Sequence, residues 1–113
     1  MSDHLLITAD GIGGTGALDA GQIATAAAFL QLLTPTRTAT FRSPSSYGLK
    51  HDAERWGRVN GMEPYVSNGA LIAAAVALGL PVRHFGRGSF NVTVGVSVRD
   101  LRRVREAMDD AGA

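Results

Sequence analysis

The sequence predicts an α+β fold, a small domain with helices packed on one mostly antiparallel sheet in the order β-α-β-α-α-β-β-α. Three observations carry that prediction. Alanine-rich stretches place larger apolar residues at helical spacing, the valines at 92, 94, 96 and 98 alternate as in a half-buried strand, and capping or stop residues separate these segments. With 113 residues, 45% hydrophobic and 19% charged, the chain is expected to form one domain around one core.

Taken in order, residues 5–9 (Leu-Leu-Ile-Thr-Ala) form a short apolar run suited to a strand, and residues 10–18 are expected to be a flexible glycine-rich loop. Asp19 reads as an N-cap, with Gln22 three residues on as in a capping box. Ile23, Ala27, Leu30 and Leu33 then share one face of a helix over residues 20–33, which Thr34-Pro35 stops. Residues 38–41 are β-prone. Ser43-Pro44 is a cap followed by a first-turn proline, so a second helix is expected from there to about Arg58, ahead of Asn60-Gly61. Ser67 or Asn68 caps a third helix over residues 69–78, ended by Gly79-Leu80-Pro81. Residues 82–85 and 92–98 pair as a hairpin across Gly86-Arg87-Gly88-Ser89, and a last helix over residues 99–109 buries Leu101, Val104 and Met108.

Composition excludes several classes. There is no cysteine, hence no disulfide framework, thiolate nucleophile or thiolate metal site. The longest uncharged, largely apolar run, residues 66–82, is broken by Ser67-Asn68-Gly69, Gly79 and Pro81 and falls short of a ~20-residue bilayer span. Met1-Ser2-Asp3-His4 lacks a positive n-region, so no signal peptide and a cytoplasmic location are expected. The formal net charge of +1 argues against a sequence-blind nucleic-acid coat. Charge is nevertheless uneven: residues 1–36 carry three acids and no base, whereas residues 37–58 hold five bases against two acids. Such a centre permits one directed contact with an anion, and equally it fits solvated helix faces.

Gly11-Ile12-Gly13-Gly14-Thr15-Gly16 matches the glycine pattern of a dinucleotide site. Asp10 and Asp19 bracket it with charge that repels a phosphate, the helix cap falls beyond Gly16, and no acid lies between 20 and 51 to hold a ribose. A nucleotide cofactor is not expected.

The second helix carries the strongest polar constellation. Leu49, Ala53 and Trp56 form its core face, while Tyr47, Lys50, His51, Glu54 and Arg58 fall on another, preceded by Arg42, Ser45 and Ser46. A solvated face laced by Lys50–Glu54 and Glu54–Arg58 pairs explains this arrangement, but each pair is worth only ~0.2–0.5 kcal/mol. The other explanation is a recognition or catalytic surface. His51 as a base oriented by Glu54, or Lys50 acting on Tyr47 or Ser46, would need a cleft that spacing alone does not show. His51 and Glu54 lack a third metal ligand unless His84 supplies it, so no metal site is expected.

The third helix, residues 69–78, has no polar side chain and therefore cannot be the recognition helix of a helix-turn-helix. It serves as core or as half of a homodimer seam. Its N-terminal end, with Tyr65, Ser67 and Asn68, offers either capping or an anion site beside Arg42, Lys50 and His51. Arg83 and His84, on opposite faces of a strand, are weaker candidates, as is His4.

Ser46-Tyr47-Gly48-Leu49-Lys50-His51-Asp52-Ala53-Glu54, followed by Tyr65-Val66-Ser67-Asn68-Gly69-Ala70-Leu71-Ile72-Ala73-Ala74-Ala75, resembles a pattern in short proteins of bacteriophages and integrating mobile elements. The resemblance covers about a third of the chain and brings no catalytic role. It implies a bacterial cytoplasm, with nucleic acid or host defence machinery as partners. The sequence expectation is therefore a non-enzymatic binding module for nucleic acid or a nucleoprotein, acting through Arg42, Ser46, Tyr47, Lys50, His51, Glu54, Tyr65, Ser67 and Asn68. The alternatives are an anti-CRISPR-like inhibitor of a host protein and a small hydrolase or transferase using Lys50, His51 and Glu54.

Overall fold

The computed structural model describes residues 6–86 and 88–112. The order is β1 (Ile7–Thr8), β2 (Gly11–Ile12), α1 (Ala20–Leu30), α2 (Ser46–Asn60), α3 (Asn68–Ala77), β3 (Val82–His84), β4 (Val92–Val94) and α4 (Val98–Asp110). This is an α+β fold, with the strand material divided between two antiparallel hairpins, β1-β2 and β3-β4, in place of one sheet. Their registers pair Ile7 with Ile12 and Val82 with Val94.

The core lies where α1, α2 and α3 cross. Phe29, Leu30, Leu49, Val66, Leu71 and Ile72 are almost fully buried there, and Ala26, Ala53, Ala70, Ala74 and Ala75 let the helix backbones approach closely. The apolar third helix is thus spent within the chain. Trp56 packs half-buried at the edge.

Caps follow the sequence at most helix starts. Asp19 accepts from Gln22 N–H at 2.9 Å and Ser67 Oγ from Ala70 N–H at 3.0 Å. The second helix is a correction: its N-cap is Ser45, whose Oγ accepts from Gly48 N–H at 3.1 Å, and Ser43 instead accepts from Thr40 N–H at 3.0 Å. The first helix ends at Leu30, three residues earlier than expected, because the next turn tightens through Leu32 N–H to Phe29 O and Leu33 N–H to Leu30 O.

The glycine segment is the largest difference. Gly11 and Ile12, expected to belong to a flexible loop, form β2 and pair with β1, itself inside the predicted first strand, in a hairpin that docks on the start of α3. Ala9 N–H donates to Gly16 O at 3.0 Å, Ile12 N–H to Phe90 O at 2.8 Å, and Gly69 N–H to Ala9 O at 3.1 Å. The contact demands glycine on both sides: Gly11 has φ +129°, and a Cβ on Gly69 would lie 1.5 Å from Thr8 O. Leu5 of the predicted first strand, and His4, lie outside the described residues.

The predicted strand over residues 38–41 does not form. Its neighbours make isolated bridges instead, Pro35 with Val96 and Ser45 with Thr93, so this segment crosses the second hairpin without joining it. That crossing also ends β4 at Val94, because Gly95 O is taken by Thr36 N–H at 2.9 Å and Ser97 N–H goes to Thr34 O at 2.8 Å. Thr93 is buried along with its valine neighbours, so the strand is covered on both faces. Val98, expected to continue the strand, opens α4 behind the Ser97 cap and is half exposed.

α4 is fastened to α2 by charge. Arg105 grips Asp52 with Nε to Oδ1 at 3.0 Å and a terminal nitrogen to Oδ2 at 2.7 Å, and Arg55 meets Asp109 at 2.6 Å. This grip raises the Arg105 pKa above its ordinary value. No helix of the described residues is long and apolar enough to cross a membrane.

Candidate functional site

The sequence holds four Phe, two Tyr and one Trp. Only Phe29 sits in the core, and Trp56 lies at its edge. Phe41, Phe85, Tyr47, Tyr65 and Phe90 are 73, 57, 54, 54 and 47% exposed. A chain that needs a core and still leaves five large rings in water has an unusual surface. These rings sort into two clefts that share the β3-β4 hairpin as a wall.

The first cleft, about 370 Å³, is lined by Ala9, Asp10, Tyr47, Lys50, Tyr65, Asn68, Phe90 and Asn91. Helical spacing on α2 brings Tyr47 and Lys50 to one edge, and the segment leading into α3 brings Tyr65. Lys50 Nζ lies between the two phenol rings, 5.7 Å from the Tyr47 centroid and 5.2 Å from that of Tyr65. Glu54 anchors the group: it meets Lys50 Nζ at 3.3 Å and His51 Nδ1 at 3.2 Å, and accepts from Val66 N–H at 3.1 Å. With its oxygens so used, Glu54 makes no ion pair with Arg58 among the described residues. His51 also packs edge-on against Tyr47, with ring centroids 4.7 Å apart.

The floor of this cleft is an amide network. Asn68 Nδ2 donates to Asp10 O at 2.9 Å and to Asn91 Oδ1 at 2.9 Å, tying both hairpins to the start of α3. Asn68 Oδ1 is buried with no partner among the described residues. Asp10 Oδ2 accepts from Thr15 N–H at 2.8 Å, which orders the turn above.

The second cleft, about 430 Å³, is lined by Phe41, Arg83, His84, Phe85, Gly86 and Thr93. Arg83 and His84 are both exposed here, because β3, unlike the buried β4 it pairs with, has both side chains in solvent. His84 Nε2 lies 3.0 Å from Ser89 O, bracing the turn. Arg42 stands 5.7 Å from the Phe41 ring centroid. It lines a shallow groove with Thr36, Thr38 and Thr40, apart from Lys50.

The structure therefore brings Tyr47, Lys50, His51, Glu54, Tyr65 and Asn68 together and separates three others. Ser46 is fully buried, its Oγ accepting from Val92 N–H at 3.1 Å. Ser67 is buried as a cap. The start of α3 is satisfied by Ser67 Oγ and Ala9 O, which removes the anion site that capping left open in the sequence. Arg42 belongs to a neighbouring surface.

In comparisons with known protein families, curated proteins and solved structures, nothing matches this chain.

Sequence reasoning missed Phe41, Phe85 and Phe90. A signal was present, since none of the three falls at a core position of a predicted helix, but exposure of an aromatic is a tertiary property. Arg87, placed by its sequence in the hairpin turn, lies outside the described residues.

Proposed function

We propose that this chain is a small binding module for nucleic acid, and that the two clefts flanking the β3-β4 hairpin form its contact surface. The observation that carries this reading is the interleaving of five exposed rings with Arg83 and Arg42, while Lys50, paired with Glu54, sits between two of the rings. Rings and cations serve different parts of the same ligand: bases stack on aromatic faces, and phosphates are neutralised by basic side chains. Lone surface cations do neither selectively, and a purely aromatic patch lacks the charge. The setting that goes with this reading is a bacterial cytoplasm and a phage or mobile-element protein, following the pattern in residues 46–54 and 65–75.

A protein partner is the second reading. Exposed Tyr and Phe are enriched at protein interfaces, so an inhibitor of host defence would use the same rings. The two differ in salt dependence. The hydrolase or transferase reading draws no support from the site, where Ser46 is buried and Glu54 is committed to three partners.

Fluorescence anisotropy with labelled single- and double-stranded DNA and RNA at 50 and 200 mM salt tests the proposal. Binding that weakens with salt and falls in Lys50→Ala and Phe85→Ala, with unchanged circular dichroism, is the expected result. No binding to any of these at the lower salt overturns it in favour of a protein partner.

A further inference from the structure

The first cleft has a chemistry of its own within that surface. Lys50, its only cation among the described residues, is 3.3 Å from Glu54 and so largely compensated, and Asp10 adds a negative charge to the wall. A phosphate gains little here and is repelled by the carboxylate. Three rings, Tyr47, Tyr65 and Phe90, supply flat apolar faces around an amide floor. With Asn91 Oδ1 taken by Asn68, the Asn91 amide nitrogen has no partner among the described residues and remains a donor. Asp10 uses Oδ2 on Thr15 and keeps Oδ1 as an acceptor. Flat faces with a free amide donor and a free carboxylate acceptor match the π-surface and hydrogen-bonding edge of a heterocyclic base. The volume of about 370 Å³ lies in the range of small-molecule sites, roughly 300–1,000 Å³.

The cleft is also preorganised. Lys50 sits between the tyrosines, Asn68 bonds both hairpins, and Ile12 N–H holds Phe90 O at 2.8 Å. The floor therefore does not need to be assembled on binding.

From these features we infer that the first cleft receives one unstacked nucleobase, edge towards Asn91 and Asp10 and face against the rings, so that the module takes single strands over duplex. The inference rests on the nucleic-acid reading above. It divides the surface by role: base in the first cleft, sugar-phosphate backbone running past the hairpin towards Arg83. In a duplex both the faces and the edges of bases are occupied, which excludes them from such a cleft.

The test compares an intact DNA single strand, the same strand with abasic sites throughout its central positions, and the intact strand annealed to its complement. Wild type is measured beside Phe90→Ala and Tyr65→Ala, both at exposed positions. The expected result is at least tenfold tighter binding of the intact single strand than of either competitor. Phe90→Ala should lower intact-strand affinity to that of the abasic strand while leaving abasic binding unchanged. Equal, salt-sensitive binding of intact and abasic strands overturns the base cleft and leaves the broader surface reading standing. A base preference that survives both substitutions overturns its location. No binding of any strand overturns both proposals.

Discussion

Two single residues decide more of this structure than their size suggests. Gly69 faces the carbonyl of Thr8, and because that neighbour is backbone, no rotamer change makes room for a methyl group. Gly69→Ala is expected to lose about 3 kcal/mol or more and to shed the β1-β2 hairpin from α3, read by thermal melting and amide exchange at Ile12. An unchanged melting temperature would show the close approach to be wrong. Thr93 is the opposite case. Its hydroxyl is buried without a partner among the described residues, whereas its branched shape suits the strand. Thr93→Val keeps the shape and removes the orphan group, so a gain of about 1 kcal/mol is expected in denaturant titration. A loss would mean the hydroxyl is hydrogen-bonded after all.

At the scale of elements, α4 depends on polar fastenings as much as on Leu101 and Met108. One fastening is Asp100, whose Oδ2 accepts from Thr34 N–H at 2.8 Å. Hydrogen bonds from Thr34, helped by Arg103 and Arg99, hold its carboxyl below the ordinary value of 3.8. A depressed folded pKa means that the native state binds the proton less readily than the unfolded chain. Its contribution is therefore complete above about pH 4 and disappears as pH falls through the lowered value. Asp100→Asn should be less stable than wild type at pH 7, with the gap closing as pH falls below the ordinary carboxylate range; a gap that persists in acid would assign the loss to something other than charge. The other fastening, Arg105 on Asp52, joins α4 to α2. Arg105→Ala strands a mostly buried carboxylate, and a loss of about 1–2 kcal/mol is expected in the same titration, less than for a fully buried pair because the guanidinium is half exposed.

For the whole molecule, net charge is a poor guide to binding. At +1 the chain is almost neutral, but Arg42, Lys50 and Arg83 stand beside the exposed rings. On the proposed reading Lys50 is compensated by Glu54, so Arg42 and Arg83 make two phosphate contacts, and on a single strand these give a slope of log K against log salt of about −1.4. A slope near zero would favour the protein-partner reading, and one much steeper would require cations elsewhere on the surface.

The helices were legible in the residues, because capping and 3.6-residue periodicity are local: Asp19 as a cap, Ser67 before an apolar run, and Asn60-Gly61 as a stop all recur in the structure, although the Gln22 side chain accepts from Ser67 N–H at 2.9 Å and closes no capping box with Asp19. So was the polar face of α2, since i, i+3 and i+4 neighbours meet on any helix. What surrounds that face was not legible. Whether residues 38–41 pair as a strand depends on what else competes for the β4 edge, and whether Gly11 and Gly69 serve a ligand or a close backbone approach depends on segments 58 residues apart in the chain. Ser46 and Tyr47 are adjacent in sequence, yet one is buried under Val92 and the other lines a cleft. Local spacing specifies which side chains share a face, because the helix is its own scaffold. Solvent exposure, and with it the site, is settled by long-range packing that no local pattern encodes.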